Sequence, residues 1–374
     1  VITGVDSDLR SDRGGTPRLP RTWRTPDGRP QCERGRPSPA IESGMPAAVE
    51  LPTIVPEYFP PAVGRYEVKP GLVRFGKPLG GGVADGHVFQ FDATFPRFRR
   101  AKLDARRERL GKYFVTDQFH PPVAAAVAEF IVRRLVLEHP DHFAFDEDDR
   151  ARSLACRLTG DRLHFDGGWE LRDVDAGPAG VDPPYASALD ALASQVQEDL
   201  AVVSTDGPRH WLGALHVCIP NFWAAEDKVG RPFAVVHEPV AGMEQMNRRA
   251  DEMVRLMVNA RDGLVRFAWG ITWDDELNHH PVLPPGAVRS PRFDPGRPSA
   301  FVRVERQTMW GFPEIGAALF TIRPYLLDCA ALRRDPARTA QLAAALRSMT
   351  PESLAYKGLA DSRDALVRWL EAPL

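Results

Sequence analysis

The spacing of apolar residues along the chain predicts four helical regions. They are residues 123–138, 185–203, 244–261 and 336–374. In each of the first three, apolar residues recur every three to four positions, the period of one helix face. In the second region this face consists of Leu189, Leu192, Val196 and Leu200. Pro140 would end the first helix and Gly263 follows the third, so these regions have ordinary helix ends.

Elsewhere the apolar residues alternate, which is typical of strands. Alternation is clearest over residues 211–219 and 265–273, and residues 301–308 and 317–325 are two further predicted strands. Between residues 153 and 172, short β-type runs are separated by Gly-containing turns, which indicates an antiparallel meander. The strands connect through turns and helices without regular βαβ alternation. We therefore expect an α+β domain built around an antiparallel sheet.

The first 50 residues differ from the rest in composition. They are rich in Arg, Pro, Gly, Ser and Asp, with almost no aliphatic periodicity, and such a segment cannot bury enough surface to form a core. We predict a disordered tail over residues 1–50 and a single domain over residues 51–374. The chain begins with Val1 and its first methionine is Met45, so a start codon placed too early and a genuine flexible tail both fit.

Charge and hydropathy exclude several classes of function. The 374 residues carry a formal net charge of -2, so there is no global basic field for nucleic acid or anionic lipid. No apolar run approaches the roughly 20 residues of a membrane-spanning helix, and the N-terminus lacks the apolar segment of a signal peptide. These features predict a cytoplasmic protein that binds neither nucleic acid nor membrane.

Common catalytic motifs are absent from the chain. It has no GxGxxG after a strand, no phosphate loop, no GxSxG and no HExxH. The cysteines are far apart and form no CxxC, which argues against an iron-sulfur or zinc site; they are Cys32, Cys156, Cys218 and Cys329. The acidic residues 274–276 with His279 and His280 resemble a metal site by composition, but a solvated loop is the favoured interpretation.

Six short segments carry a resemblance to a known family. In order, they are VQEDL at 196–200, PNFW at 220–223, KVG at 228–230, VHEPVA at 236–241, RVERQT at 303–308 and LFTIR at 319–323. Together they resemble the heme subunit of the heme-dependent oxidative N-demethylase family over residues 65–330. Three positions depart from the family pattern, namely Ala241, the segment 310–312 and Pro324. These departures bear on the substrate pocket and partner docking more than on heme binding.

The resemblance implies a PAS-like fold that encloses heme b, with a histidine ligand to the iron. It implies an enzyme that removes methyl groups from small methylated amines with oxygen, and that receives electrons from flavin and iron-sulfur reductase subunits. This chain shows no site for those electron carriers, which agrees with a dependent subunit.

The family motif marks His237 as the axial iron ligand. By alternation, Phe233, Val235 and His237 would project from one side of an extended stretch, so the imidazole would emerge from an apolar surface that excludes water. A hydrogen-bonded core histidine is the alternative for this residue. His216 is the rival ligand, although the family pattern does not mark it.

Heme propionates require basic side chains, and an amine substrate requires an anion or an aromatic face. The candidates for the propionates are Lys228, Arg231, Arg303, Arg306 and Arg323. For each, a solvated charge or a structural salt bridge is the alternative. Glu305, with Trp223 or Trp269, would bind an alkylammonium group, while pairing of Glu305 with Arg303 or Arg306 is the competing interpretation.

Three functions remain open from the sequence. The first is oxidative demethylation of an amine at heme iron. The second is a heme-based sensor or gas-binding protein without catalysis, against which the short C-terminal region argues because it leaves little room for an output domain. The third, with the least support, is a heme-free binding or scaffold protein.

Overall fold

The computed structural model describes residues 50–53, 55–148, 151–290 and 292–374. The predicted tail, residues 1–50, therefore lies outside the described residues apart from Glu50. All described residues belong to one unit of the chain, Ala47–Leu374. No helix among them is both long enough and apolar enough to cross a membrane.

The strands include those that the alternation predicts and several that it does not, among them β7 in the stretch predicted as a helix. They are β1 Val73–Arg74, β2 Phe114–Thr116, β3 Phe143–Glu147, β4 Arg152–Cys156, β5 Arg162–Phe165, β6 Leu171–Asp175, β7 Asp199–Asp206, β8 Arg209–His216, β9 Leu264–Thr272, β10 Phe301–Phe312 and β11 Ala317–Asp328. The larger sheet has the order β1-β9-β10-β11-β7-β8-β2, and β3 to β6 form a separate four-stranded meander. The paired strands are antiparallel throughout. The predicted α+β class with antiparallel sheets is confirmed.

The helices are unevenly distributed along the chain. They are α1 Phe95–Tyr113, α2 Pro121–Glu138, α3 Ala188–Ala193, α4 Phe233–His237, α5 Glu244–Asn247, α6 Ala250–Val258, α7 Cys329–Leu332, α8 Pro336–Arg347, α9 Pro351–Tyr356 and α10 Arg363–Glu371. Thus the helix predicted over residues 123–138 and the helical C-terminal part are confirmed. The helix predicted over residues 244–261 is present as two shorter helices.

The helix predicted over residues 185–203 is wrong beyond Ala193, because α3 ends there and residues 199–206 form β7. The four apolar residues that suggested one helix face do share a core cluster, although they enter it from a helix, a bend and a strand. In the bend, two side chains bind the backbone of the segment that precedes α1. Gln197 accepts the backbone N–H of Asp92, and Glu198 accepts that of Gln90 at 2.8 Å. Burial, rather than helix, produced the spacing.

Residues 233–237 also differ from the prediction, since they form the short helix α4 and not an extended stretch. A helix of this length is not stable alone. It is held from outside, because the Lys228 ammonium donates to the carbonyl of Val236 at 2.7 Å. Consequently Phe233 and His237 meet one turn apart, and Val235 points elsewhere as an exposed side chain.

The larger sheet has two differently covered faces, as the alternation along β10 predicts. Val302, Val304 and Arg306 point to the face that we call the core face, where the C-terminal helices and, farther along, α2 and α3 pack. Arg303, Glu305 and Gln307 point to the other side, which we call the site face. There α6 packs over Met309 and Phe320, and the segment 217–229 packs over Ala201 and Leu215.

Candidate functional site

The His237 imidazole lies over the site face with one ring nitrogen committed. Its Nδ1 lies 2.8 Å from the carbonyl oxygen of Phe233, which can only accept, so Nδ1 carries the proton. The Phe233 and His237 rings pack against each other with their planes tilted and their centroids 4.1 Å apart. Nε2 has no hydrogen-bonding partner among the described residues and therefore keeps a free lone pair. A backbone carbonyl that fixes the tautomer in this way is typical of metal-binding histidines.

The protonation state of His237 suits a ligand. Burial lowers the pKa of this imidazole to about 4, with the positive charges of Arg266 and Lys228 acting in the same direction and the Phe233 hydrogen bond opposing them. The ring is consequently neutral at physiological pH. A neutral imidazole is the form that binds iron.

The turn before α4 is fastened to β8. Gly230 donates to the Leu212 carbonyl at 2.9 Å, and Leu212 donates to the Arg231 carbonyl at 3.1 Å. Gly230 has φ +73°, a conformation that favours glycine, and a Cβ there would lie 2.5 Å from a side-chain oxygen of Asp117. This places Lys228 under α4, while the Arg231 side chain is exposed.

Glu305 lies on the site face among several cations. It accepts a hydrogen bond from the Gln307 amide at 3.1 Å, and its carboxylate lies 3.6 Å from Nε of Arg303. Its negative charge also acts on Arg266 and on Lys357. Glu305 thus has the pairing with Arg303 that the sequence analysis gave as the competing interpretation, and it has further cationic neighbours.

Arg303 is fully buried and bound mainly to backbone. It donates to the carbonyls of Leu277 and Ile219 at 2.9 and 2.6 Å, and Nη1 lies 3.2 Å from Nδ1 of His279. The opposite nitrogen of His279 lies 2.8 Å from Asp274. His279 and His280 are buried, so the predicted solvated loop is wrong for them, whereas Asp275 and Glu276 are exposed. Within the described ranges, no cluster of His, Cys, Asp or Glu fits a metal ion.

Arg306 and Arg323 lie opposite each other on the core face, away from His237. Arg306 donates to the carbonyl of His87 at 2.9 Å, and Arg323 forms a buried ion pair with Asp92 at 2.7 Å. Arg323 and Pro324 also border a cavity of about 400 Å³ between α1 and β11, whose lining includes neither His237 nor Glu305. The structure therefore does not bring these two arginines to His237.

The aromatic candidates separate in the same way. Trp223 is half-buried on the site face, where it packs with Ala201 and Leu215. Trp269 is opposite Val304 in the sheet register, so it lies on the core face and contacts Tyr66 edge-on at 5.4 Å. Of the two, Trp223 shares a sheet face with Glu305.

His216, the rival ligand, is enclosed on both sides. Its Nε2 lies 3.2 Å from Asp190, and Nδ1 lies 3.9 Å from the sulfur of Cys218. The ring is fully buried. His216 belongs to an interior network behind β8 that we define by Lys102, Arg106, Asp190, Asp199 and His216. With both nitrogens occupied, it matches a structural histidine better than a ligand.

Sequence reasoning missed Arg266 and Lys357. Arg266 left a signal, because it is the polar residue within the alternating strand β9 and its neighbours Val265 and Phe267 point to the other face. Lys357 left none, since it follows a short helix 87 positions beyond residue 270 and reaches the site only through the tertiary fold.

The donor chemistry around His237 fits heme. A neutral imidazole nitrogen is free, the Phe233 ring packs against the imidazole, and Arg266 and Lys228 provide positive charge near it. The cavity that His237 shares with Val203 and Leu212 holds only about 20 Å³, the room of roughly one water molecule. Next to this cavity, the site face presents two half-exposed side chains, the apolar Phe320 and the polar Gln307.

A comparison with protein families agrees with the motifs noted in the sequence. Residues 82–367 match the family model described as Haem-dependent oxidative N-demethylase, alpha subunit-like. The match covers more than half of the chain and includes His237, Arg266, Glu305 and Lys357. It confirms the resemblance noted in the sequence. The chain belongs to the family of proteins similar to the alpha subunit of the heme-dependent oxidative N-demethylase.

Proposed function

We propose that this chain is a heme-binding catalytic subunit that oxidatively demethylates a small methylated amine, with His237 as the residue that would bind the iron. The observation that carries the proposal is the free, neutral Nε2 of His237 on the site face of a family member. The topology supports a PAS-like fold, because β7 and β8 lie beside β11 and the short helices α4 to α6 connect β8 to β9.

When bound, heme b would supply the redox chemistry with oxygen, and the protein would determine what approaches it. His237 binds the iron, and the Phe233 carbonyl fixes the orientation of the imidazole. Lys228 holds α4 in place through the Val236 carbonyl. Phe233 and the apolar residues beneath it exclude water from the ligand nitrogen.

Glu305 and Trp223 are the proposed substrate-binding residues. An alkylammonium ion is stabilised by a carboxylate and by the face of an indole, and both groups are on the site face. Gln307 holds the Glu305 carboxylate in position through its amide. Lys228, Arg231 and Arg303 remain proposed contributors to the positive potential around the propionates, whereas Arg306 and Arg323 are committed to partners on the core face.

Electrons would come from a partner protein. The reaction requires two electrons per turnover, and the sequence carries neither a dinucleotide motif nor a cysteine cluster. We therefore propose a flavin and iron-sulfur reductase as partner, with oxygen and a small methylated amine as substrates in the cytoplasm.

The test combines heme loading with turnover. We expect the purified protein to bind heme with the Soret spectrum of histidine ligation, and to form formaldehyde from dimethylamine only when a cognate or surrogate reductase is supplied. His237→Ala should lose most of the histidine-type spectrum, and added imidazole should restore it, because the small ligand replaces the missing nitrogen. His164→Ala changes a half-exposed imidazole on β5, which contacts Asp175, and is the matched control.

Two results would contradict the proposal. Unchanged heme binding in His237→Ala would remove His237 as the ligand. Heme loading without formaldehyde under every reductase would remove the demethylase function and leave a heme-binding protein without catalysis.

A further inference from the structure

Two basic residues, Arg266 and Lys357, lie at the outer edge of β9, apart from the proposed ligand His237. β1 pairs only with Leu264 and Val265, so among the described residues no strand covers the outer side of residues 266–272. Lys357 directly follows α9, and its side chain lies beside β9. If Gly270 carried a Cβ atom, the Lys357 ammonium would lie 3.8 Å from it, so the ammonium is beside Gly270. The charges of Lys357 and Glu305 also interact. A residue from the C-terminal helices thereby reaches the site face.

Charge is unbalanced at this edge. Glu305 is the carboxylate that acts on both Arg266 and Lys357, whereas Arg303 has Asp199 and Asp274 in addition. Burial lowers the pKa of both Arg266 and Lys357, and the Glu305 charge opposes that effect. Two partly buried cations therefore share one anion, which is costly unless a further anion joins them.

The hydrogen-bonding capacity of the two cations is also unused. Nε of Arg266 is buried without a partner, and its Nη2 has one long contact of 3.5 Å to the Lys69 carbonyl. The Lys357 ammonium has no hydrogen-bonding partner among the described residues. Arg266 also acts electrostatically on the His237 imidazole, so this unused capacity faces the same site as the proposed iron ligand.

We propose that Arg266 and Lys357 bind carboxylate groups of the ligand held at His237. This inference rests on the proposed heme function and names residues that the sequence did not mark. Carboxylates have the charge and the acceptor geometry that a guanidinium and an ammonium recognise. At this site the carboxylates come from one of two sources, the heme propionates or an N-methylated amino acid substrate.

The first arm of the test measures heme affinity. Apoprotein is titrated with heme and with heme dimethyl ester, whose carboxylates are uncharged, and the dissociation constants are read from the Soret band. If propionates occupy the site, wild type should prefer heme by about tenfold or more, the effect of one charge-assisted hydrogen bond. Arg266→Gln and Lys357→Gln should each reduce that preference, and Arg266→Lys should retain part of it.

The second arm uses heme-loaded protein and follows the Soret shift on adding N-methylglycine or dimethylamine. If a substrate carboxylate occupies the site, N-methylglycine should bind about tenfold more tightly than dimethylamine, and Arg266→Gln should remove this difference. Heme and its ester would then bind equally. Arg261→Gln, which removes an exposed guanidinium just before β9, is the control in both arms.

The outcomes separate the two claims. Either preference, lost in the Gln variants and kept in the control, supports the carboxylate site and identifies its source. If heme and its ester bind equally well and the two amines also bind equally well, the inference is overturned while heme binding stands. If neither form of heme binds to folded wild type, the proposed function fails, and the inference fails with it.

Discussion

Two groups of buried charges in this protein are organised in opposite ways. In the interior network, Arg106 pairs with Asp190 and donates to the carbonyls of Pro183 and Pro184, and Lys102 donates to two carbonyls. At the β9 edge, Arg266 and Lys357 share Glu305 and leave donors unused. Burial alone therefore does not distinguish a structural charge from a ligand-binding one. Nε of Arg106 lacks a partner just as Nε of Arg266 does, so the two groups differ in that Arg106 has its own carboxylate, whereas Arg266 and Lys357 share one.

The largest expected effect is on stability, from Asp190→Asn. This change leaves the Arg106 cation and His216 without their shared carboxylate in a fully buried place. We expect a loss of about 3–5 kcal/mol in the free energy of unfolding, the usual cost of breaking a buried ion pair. Urea denaturation measures it. Asp104→Asn, in an exposed pair with Arg107, should change it by less than about 1 kcal/mol. A loss below about 1 kcal/mol for Asp190→Asn would break the comparison.

A smaller effect is expected from pH at Asp199, also in the interior network. Burial raises the pKa of this carboxyl to about 6 against the opposing charge of Lys102, and the unfolded value lies near 3.8. The native state then binds more protons between these values, so stability should fall as pH rises from about 4 to about 6, by on the order of 1–2 kcal/mol.

The measurement compares wild type with Asp199→Asn by urea denaturation at several pH values. The carboxylate accepts the N–H groups of Cys218 and Ile219, so the variant weakens the fold at every pH. The prediction is tested by how the difference in unfolding free energy between wild type and Asp199→Asn changes with pH. A wild-type advantage that stays constant from pH 4 to 6 would contradict the prediction, and one that grows as pH rises towards 4 would show that the pKa of Asp199 is lowered instead.

The smallest expected effect is that of Arg266→Gln on heme-free protein. Because Arg266 and Lys357 compete for one carboxylate, removing one of them should cost less than about 1 kcal/mol, or even stabilise the fold slightly. The same urea series measures it, with Arg261→Gln beside it. A loss as large as that of Asp190→Asn would make Arg266 a structural residue and would equate the two regions.

The sequence predicted the fold correctly where one regular element produced the apolar pattern. In β9 to β11, alternation follows from two sheet faces, and the predicted strands are confirmed. Over residues 185–203, the four apolar positions are buried in a helix, a bend and a strand, and the predicted helix is wrong after Ala193. The PAS-like fold and the disordered tail stay predictions.

For the site, the sequence identified His237 through a family motif but assigned it the wrong backbone conformation. α4 depends on the Lys228 side chain and on β8, which local propensity does not encode. The role of Lys357 depends on the path of the chain round an open strand edge. The family itself is confirmed, whereas the assignments of His237, Glu305 and the basic residues stay predictions that the experiments above test.

The separation of Lys357 from His237 along the chain has a consequence for biosynthesis. Lys357 follows His237 by 120 residues, which at ordinary translation rates is roughly 6 to 24 s of synthesis. During that interval the nascent chain contains the imidazole but not the C-terminal cation, and until residue 317 is reached it also lacks β11. Cofactor captured early would be held at one point only, so firm retention should begin when α9 has been made and has docked.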